Sequence, residues 1–342
     1  MQGTLTSRIK MLTLATFNLC NLGADAAPER LARLAAVITG ELQGPAILAL
    51  QEIKALASEG QHIVPAAAAY QALVAAITKA GGPTYAYREV PPLARQDGGY
   101  PQFNIRTGLL FDPREVEFID RGQAGPEDLT GIRLTGGRPN LTLSPGRIAP
   151  DHPAFSGDIQ RHWAPSRKAL AAEFRWRGEP LFVIACHLKS MRASSRREED
   201  YTKKQRQAQA QVIHSFAAGL LACDAQARVV VLGDMNDVRG SRTLKILKGD
   251  LLSNLLEALP KAQCYTRRHG YRPQALDHIL VSAALRRNAR VHIPHVNSDN
   301  GEGERASDHD PVLAVLDFQE ILTLRYTFVN NINGYQLNNR VK

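Results

Sequence analysis

The stretch ERASDHDPVLAVLDF, residues 304–318, sets Asp308, His309 and Asp310 directly before an apolar run that reads as a buried strand. Charged groups are costly at such a place unless something pairs with them. The same arrangement recurs along the chain. Asn18 follows MLTLATF, Glu52 follows AILALQ, His187 follows LFVIAC, Asp234 and Asn236 close RVVVLGDMND, and Asp277 opens DHILVS. Glu52, Asp234, Asn236 and Asp308 offer carboxylate and amide oxygens, a donor set for Mg²⁺, Mn²⁺ or Ca²⁺ rather than zinc. His187 and His309 can pass a proton near neutral pH, and a neighbouring carboxylate would hold either ring and stabilise its charged form. Phosphodiester hydrolysis needs an activated water, a stabiliser for phosphoryl charge and a proton donor for the leaving oxygen. This set of side chains supplies each. Taken singly, every signal has a plainer reading: GDMND as an Asx turn, SDHDP as a polar turn, a lone histidine as a satisfied structural group.

The elements that must carry these residues read as an α/β chain. Alternation predicts strands over Met11–Asn18 and Ala46–Glu52, with helical spacing through APERLARLAAVI between them. The Ala-rich segment IVPAAAAYQALVAAITKA reads as a helix stopped by Gly81-Gly82-Pro83. TGLLFDP and EVEFI read as two strands about a turn, and KALAAEF and LFVIACHL as another adjacent pair. A helix spans about Glu199 to Ala222, followed by strands in RVVVLGD, ALDHILVS and PVLAVLDF. Between Gly122 and Arg167 the chain is rich in Gly and Pro, with little periodicity. It reads as a long irregular connection of a kind that is uncommon unless functional or disordered. Polar residues therefore recur where apolar strands end, and such ends gather at one rim of a layered sheet structure. Residues 1–320 read as a single domain, and residues 321–342 as an edge strand or a loose tail.

Composition narrows the function classes. With 44% hydrophobic and 22% charged residues, the 342-residue chain suits a globular protein with a large core. A formal net charge of +9 raises the odds of a polyanionic partner such as nucleic acid, anionic lipid or a phosphorylated small molecule, about evenly weighed against a merely solvated basic surface. Basic residues cluster after His187 (Lys189, Arg192, Arg196, Arg197, Lys203, Lys204, Arg206), after Asn236 (Arg239, Arg242, Lys245, Lys248) and before Asp277 (Arg267, Arg268, Arg272). Beside a hydrolytic site they would bind phosphate backbone without reading sequence. The four cysteines form no C-x-x-C pair, which argues against a zinc knuckle or a thioredoxin-like site, and they suit a reducing compartment. The N-terminus shows no signal-peptide pattern and no apolar run approaches a membrane span. The expectation is a monomer without a membrane partner, cytoplasmic, or secreted if a signal was trimmed.

In order, TFNLCNLG with Asn18, LALQEIK with Glu52, SRKALAAEF with Arg167, VIACHLKS with His187, VVLGDMND with Asp234 and Asn236, LDHILVS with Asp277 and SDHDPV with Asp308 and His309 resemble the endonuclease/exonuclease/phosphatase, or DNase-I-like, family. The resemblance runs from residue 12 to 316, and the full set in this order is far more specific than any one motif. It implies a four-layer αββα sandwich with its site at one rim. It also implies roles. Glu52 would be the main ligand of Mg²⁺ or Mn²⁺, with Asp308 as a second ligand and Asn18 orienting metal or phosphate. Asp234 and Asn236 would bind the scissile phosphate, position the water or share a second metal. Asp277 would orient His309, the pair acting as general base or phosphate stabiliser. His187 would be the general acid or a donor to phosphate, and Arg167 would contact phosphate.

Within the family, Cys20 stands where enzymes resembling exonuclease III carry Asp, and CHLKS stands where they carry a PN motif. The P-A-W-C-D-R stretch of inositol phosphatases is absent before Asp277, and no apolar hairpin like that of sphingomyelinases is evident. The chain most resembles bacterial extracellular nucleases of the NucH-like type. The expected activity is a non-specific endonuclease acting on DNA, with RNA as the second candidate substrate. The alternatives are a phosphodiesterase or phosphatase of the same fold acting on a phospholipid head group or inositol phosphate, and a non-catalytic nucleic-acid-binding protein.

Overall fold

The structure is a computed structural model and describes residues 11–57, 60–100, 103–301 and 303–318. The tail expected over residues 321–342 lies outside these. The first large sheet contains β1 (Leu12–Leu22), β2 (Ile47–Leu56), β3 (Ala86–Arg88), β4 (Phe103–Phe111), then, far along the chain, β10 (Arg290–His292) and β11 (Val312–Leu316). Its order is β10-β11-β1-β2-β4-β3, with Gly99–Tyr100 also paired to β4. The second contains β5 (Leu170–Trp176), β6 (Glu179–His187), β7 (Val229–Asp234), β8 (Leu252–Asn254) and β9 (Asp277–Ser282), in the order β8-β9-β7-β6-β5, with Glu117–Phe118 at its edge. One parallel pair lies inside each sheet, β1 with β2 and β6 with β7, and the other neighbours run antiparallel.

Strict alternation sorts the apolar side chains into layers. Leu12, Leu14, Ile47 and Ala49 from one sheet meet Leu181, Val183, Val230 and Leu232 from the other in a shared central core. The intervening residues point outward. Phe17, Leu48 and Leu50 pack under helices α1 (Pro28–Ala36) and α2 (Ala67–Lys79) through Leu34, Leu73 and Ile77. Phe182, Ile184, Val229 and Val231 pack under α3 (Arg196–Cys223) and α4 (Arg242–Lys248) through Ile213, Ala217 and Leu244. Helix, sheet, sheet, helix is the expected four-layer sandwich. The caps follow local chemistry: Ser195 accepts from the Glu198 N–H at the start of α3, Ser241 accepts from the Leu244 N–H at the start of α4, and Gly249 ends α4.

Two expectations change. The segment from Gly122 to Arg167 is not a loose connection. It holds a small hairpin (Ile132–Thr135 with Arg138–Leu141), pairs Gly146–Arg147 to β5, and buries Leu141, Ile148 and Phe155 in the outer core over the second sheet. Its apolar residues plug gaps one at a time, so they show neither helical nor strand period. The second change is that β1 and β2 do not end at Asn18 and Glu52. Both strands run on, to Leu22 and Leu56, through an irregularity that falls on these residues. Among the described residues no helix is long and apolar enough to cross a membrane.

Candidate active site

The second sheet delivers its part of the site by register. His187 pairs with Asp234 across β6 and β7, and Asp234 pairs with Asp277 across β7 and β9. Three chemistry-bearing side chains from three strands thus stand at one level of the rim. Gly233 makes that level reachable. A Cβ at this position would lie 1.9 Å from the Cys186 carbonyl oxygen, and its φ is +141°, so only glycine fits there beside Asp234.

The first sheet uses a bulge. Ala49 faces the central core and Gln51 bonds Thr16 across the strands at 3.0 Å, so alternation would send Glu52 to the helix side. Instead Glu52 has φ +60°, the pairing of β2 with β4 shifts between Leu50 and Ile53, and the side chain turns into the cleft. Opposite it, Cys20 and Asn21 have φ +50° and +58°, which aims the Asn21 N–H at Glu52 Oε2 at 3.0 Å.

Asn18 lies between the two walls. Its amide nitrogen donates to Asp234 Oδ2 at 3.0 Å and reaches Glu52 Oε1 at 3.5 Å, while its oxygen accepts from the Cys20 N–H. Here Asn18 spaces two carboxylates, with its own oxygen already engaged. Asn236, with φ +47°, donates its backbone N–H to Asp234 Oδ1 at 2.8 Å and its side-chain amide to Asp234 Oδ2 and the Leu188 carbonyl. The GDMND turn therefore wraps the Asp234 carboxylate in donors. His187 Nε2 is 3.4 Å from Asp234 Oδ2 and 3.9 Å from Glu52 Oε1. His309 Nδ1 is 2.7 Å from Asp277 Oδ2 in a fully buried pair. Arg167 is buried, lines the cleft and holds the Leu188 carbonyl. Asp308 is paired to Arg267 at 2.6 Å. Asp310 is structural: it accepts from the backbone N–H groups of Asn297 and Ser298.

The electrostatics divide these groups. Burial, and then the nearby Asp277 charge, push the Asp234 carboxyl up to about 7, although the His309 charge and the Asn236 N–H act against this. Burial opposes a charge on His309, but the Asp277 carboxylate, with Asp234 and Asp308, outweighs it and raises the ring to about 10. His187 goes the other way. Burial, then the Arg167 and His309 charges, hold it well below the usual range and keep it neutral. Burial works against the Asp308 carboxylate, yet the His309 and Arg267 charges pull it below its ordinary value.

A cleft of about 390 Å³ opens over this centre, lined among others by Cys20, Glu52, Asp308, Arg167 and Lys189. His187 Nδ1, Arg167 Nε and Asp277 Oδ1 are buried without a hydrogen-bond partner among the described residues. Buried polar atoms are nearly always satisfied, so these retain capacity for substrate, water or ion. Asp234, Asp277 and His309 offer ligand atoms within 4.8 Å of one another, a group that would hold a cation only with His309 deprotonated. Glu52 and Asp308 are each about one-fifth exposed at the cleft (21% for each side chain), an all-oxygen pair suited to a hard divalent ion.

Sequence reasoning missed several members. Thr266 bridges Asp277 Oδ2 at 2.6 Å to the backbone N–H groups of Leu276 and Asp277, and so fixes the carboxylate that holds His309. Ser307 bonds the Asn18 carbonyl at 2.6 Å and ties the SDHDP turn to β1. His278, beside Asp277, accepts from Asn254 and donates to the carbonyls of Asp237 and Ala275, anchoring the acidic turn. A Ser or Thr two or eleven residues from a catalytic group carries no periodic signal. The basic clusters also thin out. Arg206 is buried against Asp237 and the carbonyls of Lys189 and Ser190, Arg239 bonds the carbonyls of Leu256 and Leu259, and Lys204, Lys248 and Arg268 pair with Asp200, Glu257 and Asp299. Lys189, Arg192 and Arg267 are the members that line the cleft.

A sequence model of the endonuclease/exonuclease/phosphatase family matches residues 15–309. Among solved structures, TDP2 from D. rerio complexed with a single-strand DNA product is similar over 90% of this chain and 98% of its own, with TM-score 0.51 and 18% identity. TDP2 from Caenorhabditis elegans, in truncated form, is similar over 90% and 98%, with TM-score 0.53 and 15% identity. An endonuclease/exonuclease/phosphatase family protein from Bacteroides thetaiotaomicron is similar over 91% and 99%, with TM-score 0.57 and 15% identity. At these identities the likeness is one of fold. No curated protein matches the chain.

Proposed function

The chain belongs to the endonuclease/exonuclease/phosphatase family, and from that premise we propose that it is a metal-dependent phosphodiesterase that cuts nucleic acid, DNA foremost and RNA as well, with little regard for sequence. The observation that carries this reading is an imidazole held on one buried carboxylate and lining, with a second carboxylate, a single cleft. His309 is held on Asp277 at 2.7 Å, and Asp234, near pKa 7, can exchange a proton at neutral pH.

The steps follow from these states. A phosphodiester in the cleft takes hydrogen bonds from His309 and Arg167 on its non-bridging oxygens. Asn18 and Asn236 hold the plane of Asp234, which positions a water and receives its proton as the water attacks phosphorus. As the water's oxygen bonds to phosphorus, the opposite P–O bond breaks, and His309, charged, stabilises the phosphate and gives its proton to the leaving oxygen rather than acting as base. His187, neutral, serves as an N–H donor, since burial leaves it no proton to give as an acid. Glu52 and Asp308 would hold Mg²⁺ or Mn²⁺. Such an ion, when bound, polarises a phosphate oxygen and offsets phosphoryl charge. The D. rerio TDP2 complex with a single-strand DNA product, on the same fold, supports nucleic acid as the substrate class. The resemblance of the motifs to NucH-like nucleases belongs to the same proposal.

The test is a gel assay of the purified chain on supercoiled plasmid, single-stranded DNA and RNA. Nicking in Mg²⁺ or Mn²⁺ that EDTA abolishes is the expected result. Intact DNA and RNA beside turnover of a phospholipid or inositol phosphate would transfer the site to the alternative substrate class.

A further inference from the structure

A two-stranded hairpin, Arg267–His269 paired with Arg272–Gln274, stands apart from both large sheets. His269 pairs with Arg272, so Gly270 and Tyr271 form a two-residue turn, and Gly270 takes the left-handed φ of +58° that such a turn asks of its first residue. The base of the hairpin is built into the active centre. Thr266, just before it, bonds Asp277, and Arg267 bonds Asp308. The next residue is clamped too. Arg268 donates to Asp299 at 2.7 Å and lies over the Tyr265 ring, which stacks on His295 at 3.8 Å. The arm is thus fixed at its root and presents Tyr271 at its apex, 99% exposed.

A single exposed aromatic is ordinary on a protein surface. Here its surroundings are not. From Tyr265 to Leu276 the chain carries no carboxylate of its own, and with Arg267 and Arg268 paired to Asp308 and Asp299, Arg272 and the His269 imidazole are the polar groups beside the ring. A lone ring beside a guanidinium buries too little apolar area for a lipid surface, whereas it suits a strand whose bases stack and whose phosphates are anionic. Resting on the reading of the cleft as a nucleic-acid site, we infer that this hairpin is a separate contact for single-stranded nucleic acid. Tyr271 stacks on an unpaired nucleobase, and Arg272 and His269 meet the phosphates beside it. The strand held there leads into the cleft along the wall formed by Arg267.

Fluorescence anisotropy of a labelled single-stranded dodecamer with the full chain in EDTA tests this without turnover. Tyr271→Ala is expected to raise Kd by about fivefold or more, the range of one lost base stack, while Tyr271→Trp restores binding and the melting temperature of both variants stays that of wild type. Equal affinity of wild type and Tyr271→Ala overturns the inference. So does a Tyr271→Ala defect seen with anionic vesicles and not with the dodecamer. The two proposals fail separately. Nicking with a Tyr271-independent Kd sinks only the hairpin contact, and a Tyr271-dependent Kd without any nicking sinks only the hydrolytic reading.

Discussion

The two walls of the cleft reach the same rim by opposite means. The second sheet contributes His187, Asp234 and Asp277 from neighbouring strands in plain register, all buried. The first contributes Asn18 and Glu52 from within strands that continue past them, and Glu52 is aimed by a bulge and a positive φ. The regular wall holds its groups in low dielectric, where charge partners shift them strongly: Asp234 rises to about 7, and Asp277 raises His309, which enters from the turn before β11 of the first sheet, to about 10. The bulged wall leaves Glu52 partly exposed and open to a cation. On the proposed function, Asp234 and His309 would carry the proton chemistry and Glu52 with Asp308 the cation, with Asn18 between Asp234 and Glu52. The lesson is that regular pairing gives a rigid, desolvated centre, while an irregularity re-aims one side chain without disturbing the core behind it.

Substitutions can break this division. The largest effect is expected at the buried centre, where His309 from the first sheet meets Asp277 of the second. His309→Gln removes the charged donor and should lower the rate of plasmid nicking by on the order of 10³-fold, with little change in the divalent-ion concentration needed. A comparable loss that high Mn²⁺ rescues would place His309 on the cation side instead. Next comes the open wall. Glu52→Gln should lower activity by about 10²-fold and shift the ion titration to higher concentration, with partial recovery at excess Mn²⁺, since one carboxylate ligand is lost. An unchanged titration would refute the separation.

Smaller effects probe the scaffold. Gly233→Ala puts a Cβ 1.9 Å from the Cys186 carbonyl oxygen at a φ of +141°, so urea melts should show a loss of about 2 kcal/mol or more. Full stability would mean that the β6–β7 register is looser than drawn here. The last test is pH. His278 is buried with both ring nitrogens engaged, and burial holds its pKa below the ordinary 6.5. The unfolded chain therefore takes up the proton first. Its contribution to stability is present above pH 6.5 and is lost as pH falls below that value, by up to about 1.4 kcal/mol per pH unit. Between pH 6.5 and 5 the urea midpoint of His278→Gln should fall less steeply than that of wild type, and parallel slopes would exclude this histidine.

Much of the molecule was legible in residue order. Continuous apolar runs such as RVVVLGD and LFVIAC can only be buried strands, the α3 pattern could only be a helix, and polar residues following such runs mark a rim. For Asp310 the plainer reading of SDHDP as a polar turn holds, since its carboxylate accepts from the backbone N–H groups of Asn297 and Ser298. The basic clusters were legible as charge but not as contacts: Lys189, Arg192 and Arg267 line the cleft, while Arg206 faces Asp237 inside the protein. Thr266 and Ser307 were invisible, since a hydroxyl becomes a positioning group only when a distant element comes within hydrogen-bond reach.

Residue types, strand periodicity and the order of motifs determined by themselves the layered α/β architecture and the family, and nominated Asn18, Glu52, Arg167, His187, Asp234, Asn236, Asp277, Asp308 and His309 as candidate site residues. These are local properties, carried by a few consecutive residues each. Tertiary structure alone decided which of them carry charge and which way they face. Alternation puts Glu52 on the helix side, and only the shifted pairing of β2 with β4 brings it to the cleft. The opposite protonation of His187 and His309 follows from their partners, not from the residue type they share. Burial beside Arg167 empties one ring, and a carboxylate from 32 residues away fills the other.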